Sequence, residues 1–245
     1  MSLPLLITLF LALPLAAGAW VRFRTTDPGH IKLLLAFSGA FLLSVTVLHM
    51  LPELYSRNSE HIGLWVLGGF MLQVVLEFFS RGIEHGHVHV HVQPHAHSGA
   101  NHTLPLVTLL SLFIHSFTEG MPFADPRVGG DTVFVAGVLL HKLPMAIALA
   151  TVLQRSAVGT GRSWATLSVF AVAAPLGILF GHHFGMRMGE EFLSGALALA
   201  IGMLLHISTT IIFETTPDHR FNAKRFATVL LGALLGVFLS ILTAH

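Results

Sequence analysis

Apolar runs of about 20 residues recur along the whole chain, and they restrict the fold to few architectures. A run of roughly 20 apolar residues crosses the ~30 Å hydrocarbon core of a bilayer as one helix. The chain of 245 residues is 53% hydrophobic and only 10% charged, with a mean hydropathy of +0.76. This composition is far more apolar than that of ordinary soluble domains. The sequence therefore predicts an all-α polytopic membrane protein with a single transmembrane domain over residues 1–245.

Turn-forming residues divide the apolar runs into eight predicted transmembrane helices. The predicted spans are 3–21, 31–51, 62–79, 104–122, 132–153, 164–184, 194–213 and 226–243. The first run ends in small residues at 16–19, which resemble a signal-peptide cleavage site. Because no Lys or Arg precedes this run and Arg22 follows it, we interpret it as a span that begins outside the cytoplasm.

The distribution of Lys and Arg predicts the direction of the spans, since these residues are enriched in cytoplasmic loops. The loops after spans 1, 3, 5 and 7 carry nine of them, and the loops after spans 2, 4 and 6 carry three. Both termini are therefore expected outside the cytoplasm of a bacterial cell, with the chain in its inner membrane. The net charge of +1 and the lack of a long basic block speak against nucleic acid as a partner.

Ionisable residues lie in the middle of the fourth and fifth predicted spans, where each is costly to bury without a partner, an ion or water. His115 and Glu119 are four residues apart and share one face of a helix. His141 lies at a similar depth on the next, antiparallel span. Two imidazoles and one carboxylate can bind Zn²⁺ or a similar divalent transition metal. Pro122 and Pro144 lie close by and are expected to bend the helices there.

A polar clasp between helices is the alternative interpretation of the same residues. In the clasp, Glu119 pairs with Lys142 and the histidines form hydrogen bonds between helices. The common depth of His115 and His141 favours a metal or proton site over the clasp. The chain contains no cysteine, which excludes thiolate ligands.

Several motifs resemble those of the ZIP (Zrt/Irt-like) divalent-metal transporters. They are His-Ser-x-x-Glu-Gly at 115–120, His-Lys-x-Pro at 141–144, His-Met-Leu-Pro-Glu at 49–53 and a His-rich loop between spans 3 and 4. The resemblance implies a 3+2+3 bundle with inverted repeats, as in a bacterial-type ZIP protein with a His-Lys variant of the fifth-span motif. It also implies uptake of zinc or a similar metal toward the cytoplasm, without a prosthetic group, and suggests a homodimer. His115, Glu119 and His141 correspond to metal-binding positions of the family.

Four positions depart from the two-metal site of many family members. Ser116 stands where asparagine is common, Lys142 replaces a carboxylate, and Met145 replaces a glutamate. Ala174 precedes a proline where many bacterial members have Glu-Pro. All four changes weaken the second metal position, and Lys142 places an ammonium there. We therefore expect a single-metal site in which Lys142 pairs with Glu119 when no metal is bound.

A His-rich segment occupies the predicted cytoplasmic loop at 82–103. It contains His85, His87, His89, His91, His95 and His97. Neutral imidazoles at high local density bind divalent ions weakly and collectively, so a role in metal capture or feedback is one hypothesis. A low-complexity linker with incidental affinity is the other.

Further polar residues outside the central site are accessory candidates for metal binding or for the path of the metal. His49 and the pair His182-His183 are expected near the outer ends of spans 2 and 6, either on the path by which metal enters or at the headgroups. His206 in span 7 is expected to face Thr209 or another helix. Glu77 and Glu214 are expected near the inner ends of spans 3 and 7, in an exit path or in solvent. Gly232 and Gly236 have the spacing of a helix-packing motif, self-association included.

Three classes of function remain open at this point. The first is a divalent-metal transporter, and since the chain has no G-x-x-x-x-G-K motif, a gradient, a proton or a partner must drive it. The second is an intramembrane metallohydrolase, although H-E-x-x-H is missing and Glu119 is needed as a ligand. The third is a non-transporting metal sensor or scaffold, which Met145 and Ala174 keep open.

Overall fold

The computed structural model describes residues 1–23, 27–57, 61–80, 82–83, 106–155, 159–214 and 222–243. These residues contain helices and turns but no strand. The helices are α1 (Leu3–Phe23), α2 (Pro28–Val45), α3 (Leu51–Ser56), α4 (Ile62–Ser80), α5 (Leu106–Gly120), α6 (Pro126–Gly130), α7 (Thr132–Arg155), α8 (Thr160–Met188), α9 (Glu190–Glu214) and α10 (Ala223–Leu242). The histidines predicted for the cytoplasmic loop, at 85–97, lie outside the described residues.

Eight spans long and apolar enough to cross a bilayer are present in the described part of the chain. The prediction of eight spans is therefore confirmed. Span 2 is α2 followed by a π-helical turn at Thr46–Met50 and by α3, and span 4 is α5 followed by a 3₁₀ turn at Met121–Ala124. Pro122 therefore lies in the 3₁₀ turn rather than inside an α-helix. The other six spans are α1, α4, α7, α8, α9 and α10.

The sixth span is longer than the predicted 164–184. α8 begins at Thr160 and continues to Met188. It ends there because Gly189 has a positive φ of 77°, a backbone conformation that glycine adopts readily and other residues rarely. The prediction placed the end too early because it followed the apolar run, whereas the glycine determines where the helix stops.

Several helix pairings in the bundle occur twice, with spans 1, 2 and 3 replaced by spans 6, 7 and 8 and span 4 replaced by span 5, or the reverse. Span 3 packs on span 7 in the same way that span 8 packs on span 2, and span 1 packs on span 5 as span 6 packs on span 4. Spans 1 and 6 also pack on each other, as do spans 2 and 7. A two-fold relation between spans 1–3 and spans 6–8 would produce these pairings, although span 3 also packs on span 4 without a comparable contact of span 8 with span 5 among the described residues. They agree with the 3+2+3 arrangement that the resemblance implies.

Glycines let three of these helix pairs approach backbone to backbone. A Cβ atom added to Gly177 of α8 would lie 2.0 Å from a carbonyl oxygen of α5, and one added to Gly202 of α9 would lie 1.9 Å from a carbonyl oxygen of α4. Gly232 and Gly236 of α10 face α2 in the same manner. Small residues commonly permit such contacts in membrane proteins. The Gly232–Gly236 spacing therefore serves packing within the chain.

The outside of the bundle is apolar, whereas polar residues occur in its interior. Leu64, Phe78, Leu231 and Phe238 are each more than 60% exposed. Contiguous apolar surface of this kind is rare in soluble monomers and fits a hydrocarbon environment. The chain is therefore an integral membrane protein whose polar side chains are gathered in the centre of the bundle.

Candidate metal centre

Spans 4 and 5 bring the three predicted ligands together. His115 and Glu119 lie one turn apart on α5, and His141 comes from α7. One donor atom of each residue lies within 4.8 Å of the other two, and each residue is at most 1% exposed. A tetrahedral zinc ion with ligands at about 2.1 Å separates its ligand atoms by about 3.4 Å. Small side-chain rotations would therefore bring all three donors onto one ion.

The two histidines lie at the same depth in the bundle. His115 is nine residues from Ala124, the last residue of span 4, and His141 is nine residues from Thr132, the first residue of span 5. At about 1.5 Å per residue, each lies about 14 Å from the same end of the bundle. That is close to half of the ~30 Å apolar thickness of a bilayer, as the sequence predicts.

Gln73 of α4 orients one of the histidines. Its Oε1 lies 2.9 Å from Nδ1 of His115, and both residues are fully buried. Because an amide oxygen only accepts hydrogen bonds, Nδ1 of His115 donates to Gln73, and Nε2 is the ring nitrogen directed at Glu119. That Nε2 lies 3.0 Å from Oε1 of Glu119. Whenever Nε2 carries no proton, its lone pair and Oε1 of Glu119 face each other, and a cation between them would stabilise the arrangement.

Gln73 was missed in the sequence analysis. The signal for it was a lone amide in the middle of the apolar run at 62–79, where an unpaired polar group is costly. Its partner is 42 residues away in the chain, so spacing along one helix does not reveal the contact.

Lys142 is fully buried beside the three ligands. Its Nζ lies 3.0 Å from Oε2 of Glu119, so the predicted pair is present. The ammonium also lies 5.4 Å from the ring centroid of Phe170 and 5.8 Å from that of Phe10, within the range of cation–π attraction. The ion pair expected of a polar clasp therefore coexists with the convergence of three metal-ligand side chains.

The other positions that depart from a two-metal site are also buried. Met145 packs in an apolar cluster with Leu149 and Phe170, and Ser116 is fully buried on α5. The carbonyl oxygen of Ala174 faces Gly120, where an added Cβ would lie 2.2 Å away. None of these side chains carries a carboxylate, which a second metal position would need.

A second polar pair lies closer to the predicted inner end. His206 of α9 contacts Glu77 of α4 through Nε2 and Oε2, and its ring packs edge-on against Phe70. The prediction that His206 faces another helix is therefore confirmed. Gln73 and Glu77 are one turn apart on α4, so this pair continues the polar side chains away from the metal centre. The side chain of Glu214 lies outside the described residues.

At the other end of the bundle, His49 lies in the π-helical turn of span 2. Its Nε2 is 2.5 Å from Oδ2 of Asp131, the residue before α7. His182 and His183 are exposed on α8 and belong to neither of the two potential metal-binding groups found among the described residues.

A network of ion pairs lies beside His49 at the same end. Arg57 lies 2.7 Å from Oε1 of Glu53 and 2.7 Å from Oδ2 of Asp125. Burial alone would raise the pKa of Asp125. Hydrogen bonds from the backbone N–H of Arg127 and from the guanidinium groups of Arg57 and Arg127 outweigh burial and hold this pKa below its usual value. The carboxylate of Asp125 therefore stays charged and binds Arg57 firmly.

The sequence profile of the family described as "ZIP Zinc transporter" matches residues 95–242. The match covers about three fifths of the chain and includes His115, Glu119 and His141. The chain belongs to the ZIP zinc transporter family. Membership of the ZIP family agrees with the eight apolar spans, and it bears against an enzymatic function because ZIP proteins are transporters rather than enzymes.

Individual ZIP proteins match over much of the chain at modest identity. The chain is 27% identical over 166 residues to "Zinc transporter ZIP9-B" of Xenopus laevis, covering 66% of this chain and 52% of that protein. It is 26% identical over 168 residues to "Zinc transporter ZIP9" of Micropogonias undulatus, covering 66% and 52%. It is also 26% identical over 189 residues to "Zinc transporter ZIP13" of Bos taurus, covering 60% and 44%. The chain spans about half the length of the curated relatives it matches.

Proposed function

We propose that the chain transports a divalent transition metal, zinc above all, toward the cytoplasm through one midplane site. The ligands would be His115, Glu119 and His141. The observation that carries the proposal is their convergence at one depth inside an apolar bundle, because ionisable residues at such depth usually serve an ion path. Membership of the ZIP family and relatives named zinc transporters support the same cargo.

Each residue of the site has a distinct part in metal binding. Gln73 holds the Nδ1 hydrogen of His115, so that Nε2 is available to the ion; such outer partners commonly raise metal affinity. Glu119 supplies the negative charge, and His141 supplies the second imidazole from the other span. An arriving ion competes with Lys142 for Glu119, and the rings of Phe10 and Phe170 remain near the displaced ammonium.

A single ion at the midplane fits this set of side chains better than two. The ammonium of Lys142 already lies 3.0 Å from Glu119, so a second cation there would be repelled. Met145 and Ala174 offer no charge to compensate it. We therefore propose one midplane ion per chain.

Alternating access of this site to the two sides would complete transport. Glu77 and His206 lie beyond Gln73 toward the predicted cytoplasmic end, which suits a path of exit. The histidines at 85–97 would then meet the ion on the cytoplasmic side. This direction, the bacterial inner membrane and the extracytoplasmic termini rest on the distribution of Lys and Arg. A homodimer stays a proposal that rests on the resemblance alone.

Uptake of zinc into proteoliposomes tests the proposal. Purified chain is reconstituted with a zinc-sensitive dye inside, and zinc is added outside. We expect dye response with the unaltered protein, a loss of about tenfold or more with His115→Ala, and no change with His182→Ala, an exposed histidine outside the site. A protein that binds zinc but gives no dye response would overturn transport and favour the sensor. Equal uptake by His115→Ala would instead overturn the proposed site.

A further inference from the structure

A second group of metal-ligand side chains lies apart from the midplane site. His49, Glu53 and Asp131 each offer a donor atom within 4.8 Å of the other two, and all three residues are half-buried. The midplane ligands are fully buried, whereas this group remains open to solvent at the end of the bundle. An ion arriving from that side would therefore meet these three residues first.

Helix α7 holds one of the three ligands in place. Oδ1 of Asp131 accepts hydrogen bonds of 3.0 Å from the backbone N–H groups of Val133 and Phe134, as a helix N-cap does. Oδ2 of the same carboxylate lies 2.5 Å from Nε2 of His49. The cap therefore fixes the carboxylate so that its second oxygen points toward His49.

The group repeats the design of the midplane site. His49 and Glu53 have the same His-x-x-x-Glu spacing as the pair at 115 and 119. In both groups the third candidate ligand belongs to the same stretch of chain: it is His141 within α7 at the midplane and Asp131, the residue directly before α7, here. The π-helical turn at Thr46–Met50 carries His49, and such turns are frequent at functional sites.

The distance between the two groups makes them separate sites. Asp131 precedes His141 by ten residues along α7, which corresponds to about 15 Å along the helix axis. One ion cannot bind both groups at that separation.

Neighbouring charges allow Glu53 to turn toward an ion. Arg57 lies 2.7 Å from both Glu53 and Asp125. If Glu53 leaves Arg57 for a metal, Asp125 still balances the guanidinium. The side chain of Glu53 is 32% exposed, so this movement requires no repacking of the core.

We propose that His49, Glu53 and Asp131 bind a divalent transition metal at this mouth of the bundle. Imidazole nitrogen and carboxylate oxygen are both ligands of Zn²⁺, and three such ligands leave a fourth position for water. Binding at the mouth stands independently of transport. A role of this group in supplying ions to the midplane site, which lies about 15 Å away along the axis of α7, rests on the proposed function.

Equilibrium dialysis of the full chain in detergent with radioactive zinc tests the site. The comparison is made in a His115→Ala background, in which the midplane site is disabled and the loop histidines are unchanged. We expect Asp131→Asn to weaken one of the remaining sites by about tenfold or more, because asparagine still caps the helix but carries no charge. Glu53→Gln and His49→Ala are expected to weaken the same site, and His182→Ala is the matched control.

The outcomes separate this proposal from the proposed function. Zinc binding that is unchanged by Asp131→Asn, Glu53→Gln and His49→Ala would overturn the site at the mouth. Thermal unfolding of each variant shows that it is folded, and Glu53→Gln provides a variant at which Arg57 keeps its second partner, Asp125. Zinc binding at the mouth without uptake into proteoliposomes would leave this site standing and overturn transport.

Discussion

Lys142 is the residue that most distinguishes this centre from a two-metal site. Its ammonium lies 3.0 Å from Glu119 and close to two aromatic rings, with no exposure to solvent. Breaking one partner of a buried ion pair costs about 3–5 kcal/mol, because the remaining charge is uncompensated. Neither charge can therefore be removed without a cost, and a metal must compete with Lys142 for the carboxylate.

We expect Lys142→Met to lower thermal stability in a chelator and to restore much of it in zinc. The substitution removes the ammonium, so Glu119 has no cation unless the ion is bound, and bound ligand stabilises the folded state. Unfolding in detergent with chelator and with zinc measures both effects. The double variant Lys142→Met/Glu119→Gln is the control, since it removes both charges and should lose the zinc response. An equal loss of stability with and without zinc would contradict the competition.

At the scale of single residues, the sequence was sufficient to predict those site residues whose spacing along one helix or depth in a span could be read directly. The four-residue spacing of His115 and Glu119 and the matching depth of His141 predicted that they converge, and the structure brings them together. Gln73 could not be found in this way, because its contact with His115 depends on how α4 packs on α5. The same is true of Asp131, whose pairing with His49 depends on span 2 meeting the start of α7.

The backbone contacts between α5 and α8 hold the helix that carries two of the ligands. Gly177 of α8 lies so close to α5 that an added Cβ would be 2.0 Å from a carbonyl oxygen. Such a clash cannot be relieved by turning a side chain, so one helix must move. The position of His115 and Glu119 therefore depends on a residue that has no side chain of its own.

We expect Gly177→Val to destabilise the bundle by about 1–3 kcal/mol or more and to reduce zinc binding at the midplane. Gly68→Val is the matched control, because an added Cβ at Gly68 has nothing within 4 Å. Thermal unfolding and zinc titration of both variants check the expectation. Equal behaviour of the two variants would show that the close approach of α5 and α8 is unimportant.

The existence and number of the eight spans followed from the apolar runs, but the local geometry within the spans did not. The π-helical turn at Thr46–Met50 and the 3₁₀ turn at Met121–Ala124 leave no mark in the hydropathy of spans 2 and 4. Prolines at 52 and 122 were visible in the sequence. Which backbone geometry each proline produces depends on the packing of the neighbouring helices, and this packing could not be predicted from the sequence of a single span.

For the whole molecule, the proposed direction in the membrane rests on nine Lys and Arg residues in one set of loops against three in the other. The chain has no cysteine, so single cysteines report their side without background. We expect a membrane-impermeant maleimide to label Arg187→Cys in intact cells and to label Arg162→Cys only after the cells are opened. The reverse pattern would invert the proposed direction and place the site at the mouth on the cytoplasmic side.

The buried lysine has a consequence for how membrane voltage acts on a transport cycle. The ion pair of Glu119 with Lys142 adds no net charge to the metal-free centre, whereas one bound divalent ion would add two charges. A field of 100 mV contributes about 2.3 kcal/mol for each elementary charge moved fully across the membrane. Reorientation of the unloaded carrier would therefore be electrically silent, and the electrogenic step would be the passage of the loaded centre alone.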